Sequence, residues 1–218
     1  NQIPHGRGRG SSAAAIVGGL NLARGLVLSG SNLMNDDDLI ALATDLEGHP
    51  DNVAAATLGG GTVAWMENRA GVPTGCGSKF AVDQSIRALL FLPKTQLATG
   101  KARKMLPEVI SHSEATINSG RAALLVHALS TRPDLLFAAT EDHIHQSYRS
   151  EAMPRSMDLV KKLRGAGVAA MISGAGPSVL VLHSSTTAEH DDMVRFAGEY
   201  FTPMDLELSP FGTQLSNA

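Results

Sequence analysis

Residues 4–12 read Pro-His-Gly-Arg-Gly-Arg-Gly-Ser-Ser and run directly into the apolar stretch Ala13-Ala14-Ala15-Ile16-Val17. A glycine-dense loop that opens a helix is suited to holding phosphate, because glycine lets backbone N–H groups approach an anion and the first helical turn carries unpaired donors and the positive end of the helix dipole. No Lys-Ser or Lys-Thr follows the last glycine, so the loop is not a Walker A motif, and its spacing is not that of the dinucleotide fingerprint. Ser11 and Ser12 carry hydroxyls that can cap the helix or ligate a magnesium ion bridging phosphates. The alternatives are an ordinary turn and an Arg-Gly contact to nucleic acid. A second group, Glu47-Gly48-His49-Pro50-Asp51-Asn52, places four side chains able to bind metal, protons or a polar substrate within six residues. Its plainer reading is a capped helix end followed by a turn. Arg121, beside Asn118 in an apolar segment, and Arg149, beside His143, His145 and Tyr148, could each grip a carboxylate through paired hydrogen bonds, or stand as solvated surface charges. His143 and His145 do not share a helical face, which argues against a metal pair. Ser173-Gly174-Ala175-Gly176-Pro177-Ser178 has the backbone freedom to approach a phosphate or another loop, and also suits a plain hairpin.

These residues must be positioned by elements that the chain signals in order. A helix is expected from Ala13 to about Leu26, with Gly25 placed to end it. Asn35 reads as the N-cap of a second helix whose first turn is Asp36-Asp37-Asp38 and whose apolar stripe is Leu39, Ile40, Leu42, Ala43 and Leu46, ending before Gly48. Gly59-Gly60-Gly61 leads into a strand at Thr62–Trp65, and the Gly/Pro-rich segment from Ala70 to Ser78 reads as a loop and domain boundary. Beyond it a strand is expected at Ile86–Leu92 and a long helix from Ser111 to about Ser130. Helices at Leu135–Tyr148 and Ser156–Leu163 follow, then strands at Val168–Ile172 and Val179–His183 flanking the glycine turn. The tail from Phe211 reads as polar and frayed. The alternation without internal repeats points to an α+β or α/β architecture.

Composition narrows the classes. A 218-residue chain that is 43% hydrophobic and 18% charged can bury a substantial core. A net charge of -3 argues against a nucleic-acid surface. Cys76 is the single cysteine, so no internal disulfide forms and a reducing cytoplasm is expected. No apolar run approaches the length needed to cross a bilayer.

Taken together, the motifs resemble a known set. Residues 4–14 resemble the phosphate loop of the GHMP small-molecule kinases, and residues 173–178 resemble their C-terminal glycine motif. Within that superfamily, Glu47 to Val53, the Gly59-Gly60 turn, Asn118 to Ala122 and the run His145 to Pro154 resemble the bacterial homoserine kinases. Arg9 departs from the pattern, standing where the family usually has leucine. The resemblance implies an α+β fold, with the remainder of an N-terminal domain resembling ribosomal protein S5 domain 2 at residues 1–75 and a ferredoxin-like C-terminal domain at residues 76–218. It implies ATP on Pro4, Gly6, Arg7, Gly8, Gly10, Ser11, Ser12, Ala13, Ala14, Gly174 and Gly176, and Mg2+ on Ser12 and Glu47. L-homoserine would be held by His49, Arg121 and Arg149, with Asn52 orienting the reacting groups. No residue stands out as a general base. The implied activity is phosphorylation of homoserine on the route to threonine, in the cytoplasm, with no nucleic-acid or membrane partner and with a homodimer allowed. The alternatives are another GHMP kinase or a catalytically dead scaffold. The resemblance further implies that the family's first strands precede residue 1 and that the 218-residue chain is inactive alone.

Overall fold

A computed structural model describes residues 6–97, 102, 104–184 and 186–215, excluding the side chains of Thr187 and Ala188. Pro4, expected to touch ATP, lies outside the described residues. The chain forms two compact units, one of residues 10–81 with 209–218 and one of residues 1–9 with 82–208.

In the first of these, α1 (Ser11–Leu26), α2 (Gly30–Leu33), α3 (Asp36–Glu47) and α4 (Asp51–Leu58) precede two antiparallel strands, β1 (Gly61–Arg69) and β2 (Val72–Phe80). The helices bury Ala13, Val17, Leu39, Ala43 and Val53 against one another. Asn35 and Asp38 form a reciprocal capping box, the Asn35 side chain accepting the Asp38 N–H at 3.0 Å and the Asp38 carboxylate accepting the Asn35 N–H at 3.1 Å. The acidic run is thereby accounted for as a helix start, although Leu42 and Leu46 of the expected stripe lie partly or largely exposed. Gly25 sits inside α1 and does not end it; the helix stops where Val27 turns extended.

The segment 70–78, expected as a loop, is largely strand β2. Ala70 and Gly71 have φ of 52° and 88° and make the two-residue hairpin turn, for which positive φ at both positions matches the twist of the flanking strands. The glycines beyond are there for packing: a Cβ on Gly75 would lie 2.1 Å from Thr44 Oγ1, and one on Gly77 2.7 Å from the Ala54 methyl. The expected division between residues 75 and 76 falls inside this strand, and the chain changes unit between Ala81 and Val82.

The tail does not fray where it is described. Ser209 O accepts the Gly60 N–H at 2.8 Å, Thr213 N–H donates to Ala56 O at 2.8 Å, and the buried Asn21 amide donates to Thr213 O at 3.1 Å. Gly59 and Gly212 have no side chain because the backbones of Phe211 and Thr57 occupy that space. Ending the chain at Leu208 should therefore speed amide exchange in α1 and α4 while leaving the strands of the other unit, from Arg87–Pro93 to Phe201–Leu206, protected, since a buried polar group that loses its partner costs about 1–3 kcal/mol. Hydrogen exchange read by mass spectrometry checks this, and unchanged protection of α1 would overturn it.

In the other unit, β3 (Arg87–Pro93) is followed by α5 (His112–Ser130), the short helix α6 (Leu136–Ala139) and α7 (Pro154–Gly165). Then come β4 (Ala170–Ile172), β5 (Val179–His183), α8 (Thr187–Arg195) and β6 (Phe201–Leu206). The sheet is antiparallel throughout in the order β4-β5-β3-β6. Taking one helical layer between β3 and β4 and α8 between β5 and β6, this is the ferredoxin-like βαββαβ arrangement. β3 is apolar from Ala88 to Pro93 because both its faces are covered: Leu89 and Phe91 join a cluster with Leu159, Val160 and Leu163 of α7, and Ala88 joins one with Ala128 of α5 and Leu136 of α6. Pro154 opens α7 at its first position, where its missing N–H costs no helical bond. The helix expected over Leu135–Tyr148 is only Leu136–Ala139. Beyond it Asp142 accepts the N–H groups of His145 at 2.9 Å and Gln146 at 2.6 Å, so a side chain takes donors that a helix continued to Tyr148 would need.

Candidate active site

Gly6, Gly8 and Gly10 all hold left-handed φ, at 66°, 73° and 63°, while Arg7 and Arg9 between them do not. Backbone that alternates in this way forms concavities lined by N–H groups, which bind anions. Gly8 is enclosed by the second glycine motif: a Cβ there would sit 2.1 Å from Ser173 O and 3.0 Å from Gly176 N. Ser173 Oγ donates to Gly8 O at 2.9 Å, and the fully buried Ser178 donates to Arg7 O at 2.7 Å. The turn carrying Gly174 and Gly176 is thus seated on the glycine loop. Sequence reasoning named the glycines and missed the two serines that fasten them. Their only signal was flanking the turn.

Helix α1 starts at Ser11 with Gly10 as its cap and without a side-chain cap, so neither serine is used as a helix cap. Ala13 is buried in the helix core, and Ala14 donates its N–H to Gly10 O. Ser12 Oγ donates instead to Glu47 Oε2 at 2.7 Å. Glu47 is the last residue of α3, Gly48 closes that helix in the left-handed conformation, and Pro50 caps α4. This compact exit brings His49 Nδ1 to 2.5 Å from Asp51 Oδ1 and leaves His49 Nε2 4.0 Å from Glu47 Oε1. Asn52 stands in the first turn of α4, where its side-chain carbonyl oxygen would be 2.9 Å from a Cβ on Gly10. Ser12, Glu47, His49 and Asn52 are therefore gathered around the start of α1. Among the described residues no group of three or more His, Cys, Asp or Glu side chains is arranged to hold a metal. The hydroxyl and carboxylate of Ser12 and Glu47 are hard oxygen donors, a set that suits Mg2+ when phosphate and water oxygens complete its shell.

Arg121 and Arg149 belong to the other unit. Arg149 is 7% exposed, and its Nε donates to Ala102 O at 3.1 Å and its Nη1 to Gly174 O at 3.4 Å. The turn that presents it is held by Asp142, whose carboxylate also pairs with His145 Nδ1 at 2.8 Å, and by Gln146, whose Oε1 accepts the Ile172 N–H at 2.6 Å. Burial pushes the Asp142 carboxyl up, but the hydrogen bonds from the His145 ring and from the Gln146 and His145 N–H groups outweigh it and hold the group below the ordinary carboxylate range. Asn118 accepts the His143 N–H at 3.1 Å, tying α5 to the same turn. Arg121 is not a bare surface cation: its Nη2 lies 2.6 Å from Glu141 Oε2. Sequence reasoning did not single out Glu141.

Among the described residues no helix is long and apolar enough to cross a membrane. The description "GHMP kinases N terminal domain" fits residues 1–60, and "GHMP kinases C terminal" fits residues 121–192. The homoserine kinase of Streptomyces avermitilis is 47% identical over 215 residues, covering 99% of this chain and 68% of that protein. That of Streptomyces coelicolor is 49% identical over 189 residues, covering 87% of this chain and 60% of its own length. The crystal structure of homoserine kinase from Cytophaga hutchinsonii superposes with a TM-score of 0.75 at 27% identity, covering 94% of this chain and 67% of that one. The chain thus spans about two thirds or less of these relatives' lengths. On the residues matched at both ends and the identity sustained across nearly all of its length, the chain belongs to the homoserine kinase family of the GHMP kinases.

Proposed function

We propose that the protein containing this chain transfers the γ-phosphoryl group of ATP to the side-chain hydroxyl of L-homoserine, in the cytoplasm and on the route to threonine. The observation that carries this reading is the 47% identity with a homoserine kinase over 215 residues, which spans both glycine motifs and both arginines. The left-handed glycines at positions 6, 8 and 10 and the start of α1 receive the phosphates, with the turn at Gly174 and Gly176 bracing Gly8. Ser12 and Glu47 hold Mg2+, which when bound neutralises phosphate charge. Asn52 orients the reacting groups, and His49 binds homoserine. Arg121 and Arg149 take the carboxylate, a charged group that a sugar or a simple alcohol would not offer. The residues work by positioning and charge stabilisation, and no general base is assigned.

The test supplies the full-length protein with ATP and Mg2+ and compares alcohol acceptors. Homoserine is expected to be phosphorylated well ahead of mevalonate, galactose and shikimate. Equal or better turnover of an acceptor without an amino-acid carboxylate would overturn the substrate assignment.

A further inference from the structure

Glu141 stands among three cationic or titratable side chains. Its Oε2 is 2.6 Å from Arg121 Nη2 and 3.8 Å from His143 Nε2, and its Oε1 is 3.7 Å from Arg164 Nη2. Arg164 is itself fixed, donating to Phe137 O at 2.8 Å and Thr140 Oγ1 at 3.0 Å with its guanidinium 4.4 Å from the centre of the Phe137 ring. Arg121 has no comparable set of anchors: among the described residues its buried Nε has no hydrogen-bond partner. A long side chain loses rotamer entropy whenever it is held in one place, so the strong contact at Nη2 is the restraint that selects its direction.

We infer that Glu141 is a positioning residue for carboxylate recognition: it takes one donor of Arg121, fixes the guanidinium, and leaves the remaining donors to the substrate carboxylate. The inference rests on the reading of Arg121 as a homoserine-binding residue. A guanidinium has five N–H donors, so one carboxylate at Nη2 does not exhaust it. Glu141 also lowers the repulsion between Arg121 and Arg164, which without it would face each other across the same space.

The test measures steady-state kinetics of the full-length protein and its Glu141→Gln and Arg121→Ala variants. The acceptors are homoserine and 3-aminopropan-1-ol, which is homoserine without its carboxylate. Glu141→Gln should raise the homoserine KM about fivefold, the scale of a partly exposed ion pair, with kcat nearly unchanged. It should leave the ATP KM and the use of 3-aminopropan-1-ol as they were. Equal losses on both acceptors would mean that Glu141 only supports the fold, and the inference would fail. A normal homoserine KM in Glu141→Gln beside a raised one in Arg121→Ala would also refute it while leaving the substrate reading intact. A normal KM in Arg121→Ala would remove the reading on which it rests. Should Glu141→Gln not fold, Glu141→Asp is measured in the same way, and an unchanged homoserine KM there overturns the inference.

Discussion

Arg149→Ala in the full-length protein is expected to lower kcat/KM for homoserine by at least about tenfold, equivalent to roughly 1.4 kcal/mol, while the KM for ATP barely moves. The expectation comes from burial. At 7% exposure Arg149 has been taken almost wholly out of water, and its donors to Ala102 O and Gly174 O hold the guanidinium in one orientation. Truncating one partner of a buried charge pair generally costs 2–5 kcal/mol, so tenfold is a lower bound. The same change strips a donor from the turn carrying Gly174, and the melting temperature should fall as well. Arg149→Lys is expected to recover little, because an ammonium cannot reproduce the planar fork that reaches two carbonyls. Normal homoserine kinetics in Arg149→Ala would show that its role is confined to bracing the turn.

Gly8→Ala should be the more disruptive change for nucleotide use, lowering kcat/KM for ATP at least about tenfold and the melting temperature by about 4 °C or more. Two costs combine. An alanine held in the left-handed region costs about 1–2 kcal/mol, and at Gly8 the new methyl carbon would stand 2.1 Å from Ser173 O, inside any tolerable contact. Either the glycine loop or the 173–178 turn must move, and Ser173 and Ser178 lose their bonds to Gly8 O and Arg7 O. Gly19→Ala is the control. It adds a methyl that meets nothing within 4 Å in the middle of α1 and should stabilise the helix by up to about 1 kcal/mol. Thermal melts and ATP kinetics on the two variants separate glycine that is needed from glycine that is merely present.

Local signals carried the reading of the sequence furthest where a whole element is built from neighbours. The helix between Asn35 and Gly48 was legible because its cap, its acidic first turn and its left-handed terminator are all short-range features. Strand β2 was not, because the reason for Gly75 and Gly77 lies in Thr44 and Ala54, 31 and 23 residues earlier. The same limit explains the tail: nothing in Phe211–Leu215 announces that Thr213 will bond Ala56 and Asn21. In the site, the types and spacing of the glycines, Glu47, His49 and the two arginines could be read directly. Most of their fastenings could not, since Ser173 with Gly8, Ser178 with Arg7 and Glu141 with Arg121 are pairings made only when the chain folds back.

The return of residues 209–215 to the unit begun at Gly10 makes residues 82–208 an insertion within that unit. During synthesis the insertion is complete and free to fold while the surrounding unit still lacks its last segment. The order of maturation therefore reverses the order of translation, contrary to the usual rule that the N-terminal domain folds first. Until Ser209 and Thr213 leave the ribosome, the Gly60 N–H and the Ala56 carbonyl lack their partners, and the loop that must close to supply them encloses the entire second unit. Emergence of residues 209–215, rather than of the glycine loop, is the event that supplies these contacts to the unit carrying Ser12, Glu47, His49 and Asn52.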